Sequence, residues 1–106
     1  MLVEGVSRPS RTLPVEAVAG RHVTTVEGSH ARGAASVADR LPRRAGGRCG
    51  WCLPGLPISA AALLAANAQP DDAAVRAALE PHLCRCGSHN RIIRAVPRAA
   101  RAGARP

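Results

Sequence analysis

The side chains in this sequence best suited to chemistry are four cysteines in two close pairs. Cys49 and Cys52 stand in Arg48-Cys49-Gly50-Trp51-Cys52-Leu53-Pro54-Gly55, and Cys84 and Cys86 in Leu83-Cys84-Arg85-Cys86-Gly87. Gly, Pro or Arg borders each pair, as in short turns. Four soft thiolates delivered in this way suit zinc or an iron–sulfur centre. The second pair has a single residue between its cysteines, whereas structural zinc sites usually separate each pair by two to four. In a small iron–sulfur cluster a Cys-x-Cys pair is less restrictive, since it can span two irons or ligate one. Spacing alone leaves both metals open.

No second constellation competes with the cysteines. The four histidines are scattered, and only His82 and His89 share a short motif with a cysteine. His82 reads as a surface or capping residue, and His89 as a ligand only if the metal is zinc. Ser59, on an apolar helix, reads as hydrogen-bonded to its own helix rather than catalytic. No Ser/His/Asp set and no paired carboxylates occur, so a hydrolase has no residues to carry it. Trp51 reads as a packing lid over the centre.

The elements that must position the cysteines are mostly helices. The stretch 31–45 has a weak apolar face of Ala34, Val37, Ala38 and Leu41. Pro42 ends or kinks it, and Gly46-Gly47 opens a flexible link. Pro57 suits the first turn of a helix, where its missing N–H costs nothing. The stretch 58–66 is apolar almost all round, which predicts burial in a bundle or against a partner. After a turn over 67–70, Asp71 caps a helix over 72–80 with Val75, Ala78 and Leu79 on one face, and Pro81 stops it. A last helix begins at Ser88 or His89 with Ile92, Ile93 and Val96 inward. Pro97 is expected to break or kink it, leaving a basic tail beyond. Each cysteine pair thus precedes a helix start, where unpaired N–H groups and the positive end of the dipole favour anionic sulfur. Gly50, Gly55 and Gly87 allow backbone N–H groups close to the sulfurs, and Arg85 adds positive charge.

Upstream, Leu2-Val3-Glu4-Gly5-Val6 reads as a short strand interrupted by a turn glycine, and Arg8-Pro9-Ser10 as a breaker. The stretch 14–19 reads as extended, and Arg21-His22-Val23-Thr24-Thr25-Val26 as the best strand. Such short strands are not expected to hold a sheet on their own, which predicts a disordered or loosely extended start.

With 106 residues, the chain has room for one small domain and a tail. Its hydrophobic share is 46%, but with one Trp and no Phe or Tyr the core must be thin. A metal that binds only the folded state would offset that weakness. The net charge of +8 comes entirely from Arg on the basic side. It reads as genomic preference or as docking to an acidic partner. Arg without interleaved aromatics argues against nucleic acid. No apolar run is long enough to span a membrane. The start lacks the basic and apolar regions of a secretory signal, so the cysteines are expected to meet a reducing cytoplasm and to favour metal over disulfides.

The two cysteine segments, with the continuation Gly87-Ser88-His89-Asn90-Arg91-Ile92, resemble the C-terminal [2Fe–2S] domain of molybdenum hydroxylase small subunits. These are the xanthine dehydrogenase, aldehyde oxidase and carbon monoxide dehydrogenase relatives. That family reads Cys-Gly-(aromatic)-Cys-x-x-Gly and then Asn-Leu-Cys-Arg-Cys-(Gly or Thr). Gly87 makes the second segment most similar to that of isoquinoline 1-oxidoreductase alpha subunits. The resemblance covers about 14–100. His82 stands where the family commonly has Asn, and Arg48 where it usually has Gln. Pro14-Val15-Glu16-Ala17-Val18-Ala19-Gly20-Arg21 and Val23-Thr24-Thr25-Val26-Glu27-Gly28 resemble the end of the plant-type ferredoxin domain that precedes the helical one. The final cysteine of that domain would fall near Arg11, so the family's second cluster has no ligands here.

The resemblance implies an all-α domain of about four helices over 29–100. A ferredoxin-domain remnant, as in a truncated or divergent member, would occupy 1–28, and a basic tail 101–106. It implies one [2Fe–2S] cluster held by Cys49, Cys52, Cys84 and Cys86, with Gly50, Trp51, Gly55, Arg85 and Gly87 around it. The chain would be an electron-transfer component of an oxidoreductase. It would relay electrons from the molybdopterin of a large partner subunit, where substrate is hydroxylated, toward a separate acceptor protein. The alternatives are a zinc-stabilised binding module and a degenerate fragment without a cluster.

Overall fold

The computed structural model describes residues 1–29, 50–52, 54–87 and 89–103. Strand β1 (Leu2–Val3) turns straight back into β2 (Val6–Ser7), with Leu2 opposite Ser7 and Val3 opposite Val6. The two turn residues, Glu4 and Gly5, both have positive φ, 50° and 81°. That is the hairpin turn whose twist matches its strands. Strand β3 (Val23–Thr24) pairs antiparallel with the other edge of β1, giving the order β2-β1-β3. Backbone bonds from Glu4 N–H to the His22 carbonyl and from Arg8 N–H to the Met1 carbonyl, both 2.9 Å, extend the pairing.

The start of the chain is therefore a small sheet rather than the loose segment expected, and the molecule is helix-rich rather than all-α. Three facts account for this. The middle strand has a partner on each side, β2 packs against the helix that starts at Gly55, and Val3 is buried to 6% exposure. The stretch 14–19 forms a 3₁₀ turn at Val15–Val18 instead of an extended strand, and a second such turn covers Ser10–Thr12. The strand expected over 21–26 is cut to Val23–Thr24 because helix α1 (Val26–Ser29) begins there.

Helix α2 (Gly55–Ala66) carries Pro57 in its first turn and buries Leu56, Pro57, Ile58, Ser59, Ala60 and Ala61. Its apolar first half is thus covered by this chain itself. At its end the Asn67 N–H donates to the Leu63 carbonyl at 2.7 Å. The Asp71 carboxylate then accepts from the Ala74 N–H at 2.7 Å and caps helix α3 (Asp72–Leu79), as its sequence predicts. Val75 and Leu79, one turn apart, are fully buried.

Helix α4 (His89–Gly103) begins where expected but runs through Pro97 without ending. A proline inside a helix loses one backbone bond and costs about 3 kcal/mol. Here the helix places Ile92, Ile93, Val96 and Ala99 in the core on both sides of it. Burial of a large aliphatic side chain contributes about 1.5–3 kcal/mol, so continuing the helix outweighs the break. Leu56 and Ala60 of α2, Val75 and Leu79 of α3 and the apolar face of α4 form one core. The opposite face of α4 exposes Arg91, Arg94, Arg98 and Arg101. The helix and flexible link expected over 31–47 lie outside the described residues.

Candidate metal centre

The first cysteine turn leads directly into α2. The Cys52 carbonyl accepts from the Leu56 N–H at 3.2 Å, and the Cys52 side chain packs against the core. No side chain caps this helix, which leaves the first-turn donors to other acceptors. The second turn lies between α3 and α4 and carries Cys84 and Cys86. All three described thiols are half-buried. Gly50 and Gly87, one in each turn, have φ of 81° and 75°, a conformation that L side chains resist.

A histidine joins the two turns. A Cβ placed on Gly55, three residues after Cys52, would lie 2.6 Å from both Cε1 and Nδ1 of His82, two residues before Cys84. Glycine at 55 is what lets the turns approach. On the other side of the ring, His82 Nε2 is 2.6 Å from the Ser59 hydroxyl oxygen, which is 2.9 Å from that of Ser7. Burial pushes the His82 pKa below its ordinary value, and the charges of His89 and the chain N-terminus push it the same way. The ring is therefore neutral at pH 7.

These contacts refine two expectations. His82 is half-buried and bonded to Ser59 rather than simply lying at the surface, and the buried Ser59 hydroxyl bonds across to Ser7 and His82 instead of serving its own helix. No sequence signal marks the pair, because Ser59 and His82 are 23 positions apart.

Trp51, expected to pack over the centre, is 85% exposed. Leu83 is 77% exposed. Each stands immediately before a cysteine, so the two turns present apolar surface beside their sulfurs. Arg85 is exposed between Cys84 and Cys86. An open groove of about 520 Å³ runs past Cys84, His82, His89 and Asn90. Cys49 lies outside the described residues. Among the described residues no three Cys, His, Asp or Glu side chains gather as a metal set. The donors present are half-buried sulfur, which fits a thiolate-bound iron–sulfur centre.

Residues 25–97 match the family described as the [2Fe-2S] binding domain. The chain belongs to that family. It is 36% identical over 107 residues to the A subunit of nicotinate dehydrogenase from Pseudomonas putida, a match covering 100% of this chain and 68% of the relative. It is 36% identical over 107 residues to the alpha subunit of isoquinoline 1-oxidoreductase from Brevundimonas diminuta, covering 96% and 67%. Over 84 residues it is 39% identical to xanthine dehydrogenase of Emericella nidulans, covering 78% of this chain and 6% of that much longer protein. The resemblance read from the two cysteine segments is thus borne out. The chain is a [2Fe–2S] electron-transfer component of the molybdenum hydroxylase class of oxidoreductases. No helix among the described residues is long and apolar enough to cross a membrane.

Proposed function

We propose that Cys49, Cys52, Cys84 and Cys86 hold the [2Fe–2S] cluster of this chain, and that the chain carries electrons from a large molybdopterin-binding subunit to a separate acceptor protein. The observation that carries the assignment is the joining of two cysteine turns, each leading into a helix N-terminus, through the Gly55–His82 contact. When bound, a [2Fe–2S] centre supplies one-electron oxidation and reduction. The thiolates bind it; Gly50 and Gly87 let the turns present N–H groups; Arg85 and the starts of α2 and α4 favour its negative charge.

The residues divide between a sheet-bearing start, 1–28, and a helical cluster-binding part, 29–100, with a basic end at 101–106. Docking falls to the cysteine end rather than to the first half of α2, whose apolar face is already covered. Trp51 and Leu83 supply exposed apolar area there, as expected of a contact surface. Substrate chemistry belongs to the large subunit, with substrates of the class that the relatives' names give: nicotinate, isoquinoline, xanthine. A reducing compartment such as the cytoplasm keeps unliganded thiols from pairing as disulfides and so suits assembly of the centre.

Anaerobic reconstitution with iron and sulfide tests the assignment. The expected product is red-brown, with about two iron and two sulfide per chain and one paramagnetic signal on reduction. Stoichiometric zinc without visible charge-transfer bands would overturn it.

A further inference from the structure

The hydrogen-bonded chain Ser7–Ser59–His82 crosses three parts of the molecule: strand β2, helix α2 and the turn that carries Cys84 and Cys86. Ser59 is 5% exposed, so its hydroxyl has no bulk water to fall back on. Both neighbours are short contacts, 2.9 Å to Ser7 Oγ and 2.6 Å to His82 Nε2. A buried hydroxyl has one proton to give and can also accept. In either order of donors this one is satisfied on both sides. The Nδ1–Cε1 edge of the imidazole is meanwhile pressed against Gly55. The ring is therefore gripped at two edges by α2, through Ser59 and through Gly55, the first residue of the helix, which follows the Cys52 turn. Its own backbone N–H donates to the Leu79 carbonyl at 3.0 Å, which fixes it to the end of α3.

The segment that follows has little apolar cover of its own. Leu83 is exposed, and Cys84 and Cys86 are half-buried. Within this segment the His82 side chain reaches the buried Ser59 of α2. We propose that His82 is a positioning residue that locks the Cys84–Cys86 turn against the Cys52 turn, and that Ser59 and Ser7 extend this lock to the N-terminal sheet. The proposal rests on the cysteine assignment only in calling the turns a cluster site. The lock is a property of the chain's own contacts. It makes the sheet part of the positioning apparatus of the centre, at a distance in sequence of 52 residues from Ser7 to Ser59 and a further 23 to His82.

The experiment compares wild type with Ser7→Ala, Ser59→Ala, His82→Leu and His82→Asn in the reconstituted full chain. Two readouts are used: amide exchange across the turn 83–87, and the paramagnetic line shape of the reduced protein. Thermal midpoints are measured alongside. His82→Leu and Ser59→Ala each remove a hydrogen bond to a buried group, so exchange in 83–87 should rise about tenfold and the line shape should change. Ser7→Ala should do the same to a smaller degree, although Ser7 belongs to the sheet. His82→Asn keeps a donor and an acceptor and should restore most of the wild-type line shape.

If Ser7→Ala and Ser59→Ala lower the thermal midpoint yet leave exchange in 83–87 and the line shape as in wild type, the lock is refuted and these are ordinary packing contacts. Should His82→Leu fail to fold, the two serine variants decide the matter by the same readouts. If the wild-type protein takes up only zinc, the cluster assignment fails, but the exchange comparison on the zinc form still decides the lock.

Discussion

Among residues 1–28 only Val3 is buried, whereas α2, α3 and α4 enclose a continuous core from Leu56 to Ala99. The sheet is held by backbone bonds, a left-handed turn, the Glu4 carboxylate on His22 N–H and the packing of β2 on α2, which includes the Ser7–Ser59 contact. The helices are held by aliphatic side chains taken out of water, a non-directional term proportional to area. The cysteine turns sit between these regimes. Cys52 touches the core, while the Cys84–Cys86 turn is tied to α2 through His82. The contrast teaches that the proposed site is neither the best packed nor the best paired part of the fold, and that under the proposed assignment bound metal supplies what packing does not.

Metal removal tests that contrast with the largest expected effect. Binding to a folded site and folding share one free energy. Chelation, or Cys86→Ser, is expected to remove the visible absorption, to cost most of the helical circular dichroism and to flatten the thermal transition. Amide protection in α4 should fall toward that of the sheet. An apo form that melts as sharply and as high as the loaded protein would show that the aliphatic core suffices alone.

Core truncation comes next and sharpens the same comparison. Leu79→Ala removes a fully buried side chain from the contact of α3 with α4 and should cost about 2–5 kcal/mol. Val3→Ala removes a smaller side chain from beneath a sheet of two-residue strands and should cost about 1–2 kcal/mol. Denaturant midpoints at unchanged slope measure both. Equal costs would mean that the sheet is buried as effectively as the helices.

Local signals are legible in the sequence. The cysteine spacing, the Asp71 cap, the stop at Pro81 and the start of α4 each depend on residues within one turn of one another, and the structure shows all of those that it describes. The misjudged features depend on distant partners. Pairing of β1 with β3 brings Leu2 opposite Thr24. Ser59 needs Ser7 and His82, which no periodicity announces. The local cost of Pro97 points to a break, but burial of Ile93, Val96 and Ala99 decides the outcome. The helix expected over 31–45 and the proposed ligand Cys49 lie outside the described residues.

The smallest effect concerns the hairpin turn, where the sheet depends on backbone conformation rather than burial. Glu4 has φ of 50°, which costs a side-chain-bearing residue about 1–2 kcal/mol. Its carboxylate accepts from the His22 N–H at 2.7 Å and ties the turn to the start of β3. An exposed charge-assisted bond of this kind contributes about 1 kcal/mol. Glu4→Ala loses the bond and keeps the strained φ, so it should destabilise the sheet by about 1 kcal/mol. Glu4→Gly loses the same bond but relieves the strain, at the cost of a more flexible unfolded chain. It should fall within about 0.5 kcal/mol of wild type. Amide exchange at Val3, Glu4 and Arg8 reads these differences without requiring the helices to unfold. If Glu4→Gly is as damaging as Glu4→Ala, the bond to His22 and not the turn conformation governs the sheet. If neither changes exchange there, the sheet owes its order to α2, and the two regions are less independent than their packing indicates.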